Sequence, residues 1–436
     1  MTEPANGQGA DSGLDPDGGL NAAAAIIDVA VRDGRVPGVV AAVGRGPAAV
    51  ATRVVGQADA TPGAERLMRP GTLFDLASLT KVVGTTTAVL ALIGQGELGL
   101  DDRAGRYLPS FEALRDGTVR QLLTHTSGLP DTRKFYEWCA SRAELLRDLH
   151  ATPLEAPPGT RVMYSDLGFM ALGEIAAAVA GEPLDAAVSH LVTSPLGMAS
   201  TQYYTEYNTN YYTRMGSVGG AVPASAAKAG ADAPRGDAGY ADRGPSNEGR
   251  DAASSAAGGH RDDRRAAAGD RFAATERSPG GAPWTGVVHD ENARLMGGVA
   301  GHAGLFAPVA DLAAFAAWWV GEDDVAVSAR LRREAERLQT AGLDGYRGLG
   351  WVRQGDGYDI LRGTWPPDSV SHTGFTGTSL AIDTETGTWA VLLTNAVHFG
   401  RDPDRIRSLR REFHAALRPY HRSGDKSGRG MPGDGS

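Results

Sequence analysis

Apolar residues recur at helical spacing in some stretches of the chain and cluster in short β-rich runs in others. Residues 20–34 have helical spacing, and residues 79–94 are apolar enough for a buried helix that ends at its glycines. Two runs, VVAAV from Val39 and AAVATRVVGQAD from Ala48, flank a Gly and Pro cluster. This arrangement predicts a β-hairpin between the first two helices.

Further along the chain, residues 101 to about 198 contain helical segments joined by short turns. Residues 305–322, with Asp311 near their beginning, indicate another helix, and SLAIDTETGTWAVLLTNAV from Ser379 indicates two strands around a turn at residues 384–387. A last helix begins at Pro403. Strands therefore occur near both ends of the chain, with a helical block between them.

This order of elements predicts an α+β fold in which both termini build one antiparallel sheet flanked by helices, with an inserted helical subdomain at about 100–215. Residues 1–19 and 421–436 are polar and are expected to be disordered tails. Residues 216–270 are poor in large apolar side chains, so we expect a disordered insertion there. A single domain should therefore occupy residues 20–420.

The 436 residues carry a formal net charge of -9, which gives no general electrostatic reason to bind nucleic acid or an anionic membrane. A small molecule or a short peptide is the expected partner, and nothing in the sequence indicates the oligomeric state. The amino terminus lacks the basic start and apolar stretch of a secretory signal, so a cytoplasmic location is expected. The single cysteine, Cys139, is predicted to be a buried small hydrophobe.

The sequence Ser78-Leu79-Thr80-Lys81 pairs a hydroxyl with an amine three positions later. On a helix these positions share one face, so the Lys81 amine can reach the Ser78 oxygen and activate it as a nucleophile. Burial is expected to lower the pKa of Lys81 toward neutrality. Ser78 at the helix start also faces the positive end of the helix dipole.

Four segments together resemble the serine β-lactamase, penicillin-binding protein and esterase superfamily, particularly its class C-like branch. They are FDLASLTK from Phe74, LLTHTSGLP from Leu122, PGTRVMYSDLGF from Pro158 and HTGFTGTS from His372. The resemblance implies a β-lactamase/transpeptidase-like fold and a reaction through an acyl-enzyme on Ser78. It implies no cofactor.

The resemblance places Tyr164 in the position of the family tyrosine, where it shares acid and base work with Lys81; which of the two is the base stays open. Asp166 stands where asparagine is common, and an ionised carboxylate only accepts hydrogen bonds. Asp166 therefore either holds Lys81 in its charged form or caps the helix that begins at Leu167.

The resemblance makes Asp166, His372, Thr373, Gly374 and Phe375 candidate substrate-binding residues, with the backbone N–H groups of Ser78 and Phe375 as the oxyanion hole. Lactamases usually have lysine where His372 stands, and a mostly neutral histidine disfavours carboxylate-bearing penicillins. The alternative is that His372 only hydrogen-bonds a strand neighbour.

The segment GVVHDENARLMGGVAGHAGLF contains His289, Asp290, Glu291 and His302. These side chains lack the helical spacing of zinc ligands, so we predict close backbone packing at the glycines instead of a metal site. His125, in LLTHTSG, is assigned a structural role.

The predicted function is hydrolysis of an ester, amide or lactam carbonyl by a β-lactamase-related serine hydrolase with an esterase-like preference. Two alternatives remain open: a D-alanyl carboxypeptidase or other cell-wall peptide hydrolase, and a penicillin-binding sensor that turns over very slowly.

Overall fold

A computed structural model describes residues 19–205, 270–278 and 281–417 of the chain. Most of the predicted insertion, residues 216–270, lies outside the described residues, as do residues 1–18 and 418–436. The strands are β1 (Gly38–Arg45), β2 (Ala48–Asp59), β3 (Arg66–Leu67), β4 (Phe74–Asp75), β5 (Gln202–Tyr203), β6 (Leu305–Ala307), β7 (Val352–Arg353), β8 (Val370–Thr373), β9 (Ser379–Asp383) and β10 (Thr388–Thr394).

The main sheet has seven strands in the order β3-β2-β1-β10-β9-β8-β7, and each pair is antiparallel. Its centre joins the two ends of the chain, because β1 pairs with β10 with Val40 opposite Leu393. The predicted hairpin is β1 and β2, and the predicted pair of late strands is β9 and β10. The predicted α+β fold, with one antiparallel sheet built from both ends, is therefore confirmed.

The longer helices cover both faces of this sheet. Side chains alternate along a strand, so Val39 and Ala41 pack into one apolar cluster while Val40 and Ala42 pack into another. The helices are α1 (Gly19–Arg32), α2 (Lys81–Gly94), α3 (Val119–Leu123), α4 (Arg142–His150), α5 (Asp166–Ala180), α6 (Leu184–Val188), α7 (Glu291–Leu295), α8 (Val309–Val320), α9 (Ala329–Glu336) and α10 (Pro403–Ala416).

The first and last long helices share one of the two clusters. Ile27 of α1 packs with Leu409 and Phe413 of α10, and the described chain thus begins and ends on the same face of the sheet. Helix α8 contributes Leu312 and Phe315 to the cluster on the other face. This burial of apolar surface on both faces holds the central strands rigidly in place.

Helix α2 follows the predicted span, and residues 79 and 80 before it are also helical. Its first part, Lys81–Thr86, is wound as a π-helix, which the apolar pattern did not predict. A π-turn is rare and often lies at a functional site. Here it begins at Lys81, the partner of Ser78.

A second, three-stranded sheet has the order β4-β6-β5. The prediction of one helix over residues 305–322 was wrong for its first residues, because Leu305–Ala307 form β6 and pair with Phe74–Asp75. Helix α8 starts only after Pro308. This pairing fixes the strand that leads into Ser78.

The described part of the middle region is helical, as predicted, with Gly181 in the left-handed conformation at the end of α5. Within the described residues no single helix has the length and apolarity to cross a membrane; only the bent pair Asp166–Ala180 and Leu184–Thr193 meets these criteria jointly. Cys139 is buried, and burial raises the pKa of its thiol to about 11.

Candidate active site

Ser78 lies in the tight turn between β4 and α2. The residue before it, Ala77, has a φ of 46°, a left-handed conformation that is unfavourable for a residue with a Cβ. The Asp75 carboxylate stabilises this turn by accepting a hydrogen bond from the Ala77 N–H at 2.8 Å. A strained turn at this point, held by its neighbours, is typical of a functional site.

Lys81 is fully buried beside Ser78, among several polar partners. Its Nζ donates to Ser78 Oγ at 2.9 Å and to the His302 carbonyl at 3.3 Å, and it forms an ion pair with Asp166 Oδ1 at 2.7 Å. The predicted approach of Lys81 to Ser78 is therefore present in the structure.

The predicted fall in the pKa of Lys81 is wrong. Burial by itself would lower this pKa, but the Asp166 carboxylate and the Tyr164 phenol outweigh burial and raise it above its ordinary value. The ammonium form is therefore the resting state of Lys81. Of the two roles considered for Asp166, the structure supports the one in which Asp166 holds Lys81 charged.

The capping role considered for Asp166 belongs to its neighbour. Ser165 is the N-cap of α5, and its Oγ accepts a hydrogen bond from the Gly168 N–H at 3.0 Å. Asp166 is the first residue of the helix, and its carboxylate is free to face Lys81.

Tyr164 is half-buried in a stack of rings next to Lys81. Its ring centroid lies 4.9 Å from that of Tyr358 and 4.6 Å from that of His125, and Lys81 Nζ lies 4.9 Å from it. The phenol hydrogen-bonds with Lys81 and Ser78. Burial raises the pKa of this phenol, and the Lys81 ammonium only partly offsets the rise.

His125 supports the backbone on both sides of Tyr164. Its carbonyl accepts from the Met163 N–H at 2.7 Å, and its Nδ1 accepts from the Ser165 N–H at 3.0 Å. Burial, together with the nearby cations, lowers the pKa of His125 well below its usual value, so the ring is neutral. These contacts are consistent with the structural role assigned to His125, and they place Tyr164 against Lys81.

The turn after β8 is tied to the segment before the nucleophile by two side chains. Thr376 Oγ1 donates to the Asp75 carbonyl at 2.7 Å, and Thr378 Oγ1 donates to the Leu76 carbonyl at 3.1 Å. A Cβ on Gly374 would lie 2.2 Å from the Leu76 carbonyl oxygen. The absence of a side chain at Gly374 therefore permits close packing against the nucleophile segment, and not only the expected approach to the acyl group.

Phe375 follows this glycine, and its side chain is 52% exposed. Its ring stacks on His289 with centroids 5.6 Å apart, and the Arg401 guanidinium lies 5.8 Å from its centroid. These two contacts hold the residue whose N–H is the expected second donor of the oxyanion hole.

His372 is buried on β8, and its Nδ1 lies 3.0 Å from the Thr373 carbonyl oxygen. The predicted alternative, a hydrogen bond within the strand, is thus present for one ring nitrogen. Burial lowers the pKa of His372 well below its usual value, and the charges of Lys81 and Arg347 lower it further. The position carries no fixed positive charge.

An open cavity of about 710 Å³ brings the predicted site residues together. All of them except Lys81, which lies behind Ser78, line this cavity. They are Ser78, Tyr164, Asp166, His372, Thr373, Gly374 and Phe375.

The segment with His289, Asp290, Glu291 and His302 does not converge on one point. His302 Nε2 lies 2.8 Å from Asp290 Oδ1, and His289 Nε2 lies 3.0 Å from Glu276 Oε2. Glu291 instead forms an ion pair with Arg401 at 2.5 Å. Arg401 also pairs with Glu276 at 2.8 Å, so His289 and Glu291 belong to one network and His302 and Asp290 to another. These contacts support the backbone near the cavity, with the His302 carbonyl accepting from Lys81.

Three side chains near the site were not predicted from the sequence. Arg347 is buried in an ion pair with Asp356 at 2.9 Å, and its guanidinium lies 5.6 Å from the Tyr164 ring centroid. Tyr358 stacks on Tyr164. Arg410 donates to the carbonyls of Gly374 and Thr378. No local pattern marks these residues, because only the folded chain brings them to the site.

Comparison with known proteins gives a consistent assignment. The chain is 28% identical over 361 residues to a putative D-alanyl-D-alanine carboxypeptidase of Escherichia coli K12, covering 75% of this chain and 70% of that protein. It is 40% identical over 200 residues to esterase EstB of Burkholderia gladioli, covering 40% of this chain and 49% of the esterase.

Among solved structures, simvastatin synthase LovD from Aspergillus terreus superposes with a TM-score of 0.62 at 18% identity, covering 93% of this chain and 99% of LovD. At this identity the likeness concerns the fold alone. A sequence model of the Beta-lactamase family matches residues 23–415, nearly the whole described chain. Taken with the fold and the Ser78 and Lys81 geometry, this match establishes that the chain belongs to the β-lactamase family and is a serine hydrolase.

Proposed function

We propose that the protein hydrolyses carboxylic esters through an acyl-enzyme on Ser78 and that it disfavours substrates with a carboxylate beside the scissile bond. The observation that carries this proposal is the buried, neutral His372 on the strand beside the nucleophile. A lysine there would attract a substrate carboxylate, whereas a neutral imidazole does not.

In the proposed mechanism, Ser78 Oγ attacks the carbonyl carbon and its proton passes to Tyr164. Lys81 is held as an ammonium by Asp166, so it cannot take this proton. The base is the phenolate of Tyr164, which is a minor form at neutral pH because burial raises the pKa of the phenol. The Lys81 ammonium stabilises that phenolate through the contact between the two groups.

The tetrahedral oxyanion accepts hydrogen bonds from the backbone N–H groups of Ser78 and Phe375. The Thr376 and Thr378 hydroxyls fix the spacing of these two donors by binding the backbone just before Ser78. Tyr164 then returns its proton to the leaving oxygen. A water repeats the same proton path and releases the acid from Ser78.

The name of the Escherichia coli relative supports a second candidate, a D-alanyl carboxypeptidase. Its substrate carries a free carboxylate beside the scissile amide. The neutral His372 argues against this candidate, and so a direct comparison of substrates separates the two.

The test compares 4-nitrophenyl butyrate, nitrocefin and a peptide that ends in D-Ala-D-Ala. We expect the ester to give a kcat/KM more than about tenfold above the other two. Ser78→Ala should abolish turnover and labelling by a fluorophosphonate probe, whereas the exposed Ser110→Ala should change neither.

A faster reaction with the peptide would identify a carboxypeptidase instead. Labelling by penicillin without measurable turnover of any substrate would identify a slow-turnover sensor. Full activity in a folded Ser78→Ala protein would exclude the acyl-enzyme altogether.

A further inference from the structure

The hydrogen bond of His372 determines which of its ring nitrogens carries the proton. Nδ1 lies 3.0 Å from the Thr373 carbonyl oxygen, which can only accept, so Nδ1 must be the N–H donor. The ring is 2% exposed and neutral. A neutral imidazole with its proton on Nδ1 presents a bare lone pair at Nε2.

That lone pair has no hydrogen-bond partner among the residues that the structure describes. Buried acceptors in folded proteins are normally paired with a protein group or an ordered water, and an unpaired one beside a cavity is placed to accept from a bound molecule. The His372 ring lines the cavity above Ser78, where a substrate would sit. The partner it lacks is a hydrogen-bond donor.

Two carboxylates on the cavity wall favour the same kind of group. Asp166 and Asp131 both line the cavity, and the Asp131 carboxyl forms no ion pair within the described ranges. Burial raises the pKa of Asp131, and the Asp166 charge raises it further. A donor on the substrate would relieve this like-charge contact.

Most of the cationic side chains that line the cavity are already paired with groups of the protein, and the charge of Arg410 contributes to the low pKa of His372. Most of them lie on α10 or just before it, and Arg410 already donates to the carbonyls of Gly374 and Thr378. The cationic lining residues are Lys134, Arg401, Arg407, Arg410 and Arg411.

His372 is also placed to meet the leaving group. Tyr164 protonates the leaving oxygen in the proposed mechanism, and its ring centroid lies 6.3 Å from that of His372. A substituent one or two bonds beyond the leaving oxygen therefore reaches the imidazole. Resting on the proposed esterase function, we propose that His372 Nε2 accepts a hydrogen bond from the leaving alcohol, so that preferred substrates carry a hydroxyl or a protonated amine there.

The test uses five butyrate esters that differ only in the alcohol. The 2-hydroxyethyl ester supplies a neutral donor and the 2-(dimethylamino)ethyl ester a cationic donor. The choline ester supplies a cation without an N–H, and the 3,3-dimethylbutyl ester is its neutral analogue. The carboxymethyl ester supplies an anion. We expect both donor esters to exceed the 3,3-dimethylbutyl ester in kcat/KM by about five- to hundredfold, the range given by one added hydrogen bond.

The five esters distinguish which residues cause the preference. If the choline ester reacts as fast as the 2-(dimethylamino)ethyl ester, and both react fast, the preference comes from the two carboxylates and the role of His372 is overturned. Equal, Ser78-dependent rates for all five esters would overturn the inference and leave the esterase function standing. No hydrolysis of any ester would overturn both.

Variants at His372 complete the test. His372→Leu should abolish the preference for donor esters, whereas His372→Gln, which keeps an acceptor oxygen, should retain part of it. The ratio of two kcat/KM values does not depend on the fraction of folded enzyme, so a partly misfolded variant remains informative. His190→Gln, at an exposed histidine, is the matched control and should keep the wild-type ratio. A donor preference that survives in His372→Leu would contradict the inference.

Discussion

The Asp166 carboxylate lies 2.7 Å from the Lys81 ammonium, and the lysine is completely buried. An asparagine at this position could not neutralise the lysine charge. The ion pair favours the protonated forms of both Lys81 and Tyr164, because a negative charge nearby raises the pKa of each group. The proton chemistry at Ser78 therefore depends on a residue that does not contact the reacting carbonyl.

Asp166→Asn should move the rising limb of the kcat/KM pH profile to lower pH. Removal of the negative charge lowers the pKa values of Tyr164 and Lys81, so the phenolate forms at lower pH. The measurement is kcat/KM for a neutral ester from pH 7 to the highest pH at which the protein stays folded, because the native limb lies above pH 10. Asp101→Asn, at an exposed ion pair with Arg120, is the control and should leave the limb in place. An unmoved limb in Asp166→Asn would show that the carboxylate does not control this ionisation.

Gly374→Ala should reduce kcat much more strongly than it reduces the free energy of unfolding. Its Cβ would lie 2.2 Å from both the Leu76 carbonyl oxygen and Thr378 Oγ1, so the turn that carries Phe375 must shift. We expect kcat to fall about a hundredfold or more, as when one oxyanion donor is lost, with a destabilisation of about 1–3 kcal/mol. Gly357→Ala is a matched control, since Gly357 lines the same cavity and has no atom within 4 Å of the added methyl. Comparable losses in both variants would argue against a specific role for Gly374.

Glu336→Gln should remove part of the pH dependence of stability. Burial raises the pKa of the Glu336 carboxyl to about 7, although Thr384 and Trp319 donate to it. Because the folded form holds the Glu336 proton more tightly than the unfolded form, the contribution of this residue to the free energy of unfolding is greatest at low pH. It is lost as pH rises from about 4.5 to about 7, by about 3 kcal/mol in all.

The check for Glu336 is urea unfolding at pH 5 and pH 8. Between pH 5 and pH 8 the native protein should lose unfolding free energy through the ionisation of Glu336. Glu336→Gln should lack this loss, so its stability relative to the native protein should be greater at pH 8 than at pH 5. Glu97→Gln, at an exposed carboxyl, should reproduce the native difference. An identical pH dependence in Glu336→Gln and the native protein would refute the raised pKa.

Deletion of residues 220–268 should leave folding and hydrolysis nearly intact, because this segment is poor in large apolar side chains. The described chain resumes at Asp270, and Phe272 is buried with its ring 5.4 Å from that of Phe306. A longer deletion that includes Phe272 should therefore lower the melting temperature clearly. Calorimetry of the two variants decides this, and a collapse of the shorter deletion would show that the segment packs.

The spacing of neighbouring residues in the sequence predicted the features of the structure that depend only on contacts close in the chain. The Ser78 and Lys81 contact follows from positions three apart at a helix start, and the hairpins follow from alternating runs around turns. The expected fall in the pKa of Lys81 was wrong because it considered burial alone, whereas the ion pair with Asp166 on another helix, one of the two roles considered for that residue, outweighs burial. The π-turn of α2 was not predicted, because its apolar pattern does not differ from that of an ordinary α-helical turn.

The remaining site contacts were missed for the same reason. Arg347 and Tyr358 reach Tyr164 from a long irregular segment whose sequence carries no periodic signal. The β6 strand was mistaken for helix because its three apolar residues precede a true helix without a break in composition. Three-residue strands are decided by their partners and not by their own residues.

The sheet that joins both ends of the chain also governs when the enzyme becomes competent during its synthesis. Thr376 is bonded to the backbone of Asp75 across 301 positions, and the turn it anchors is braced in addition by Arg410 of the last helix. A nascent chain that already contains Ser78, Lys81 and Tyr164 thus lacks the second oxyanion donor until almost all of the polypeptide has left the ribosome. Ser78 is therefore inactive during most of translation, and hydrolysis begins only after the two ends of the chain have paired in the sheet.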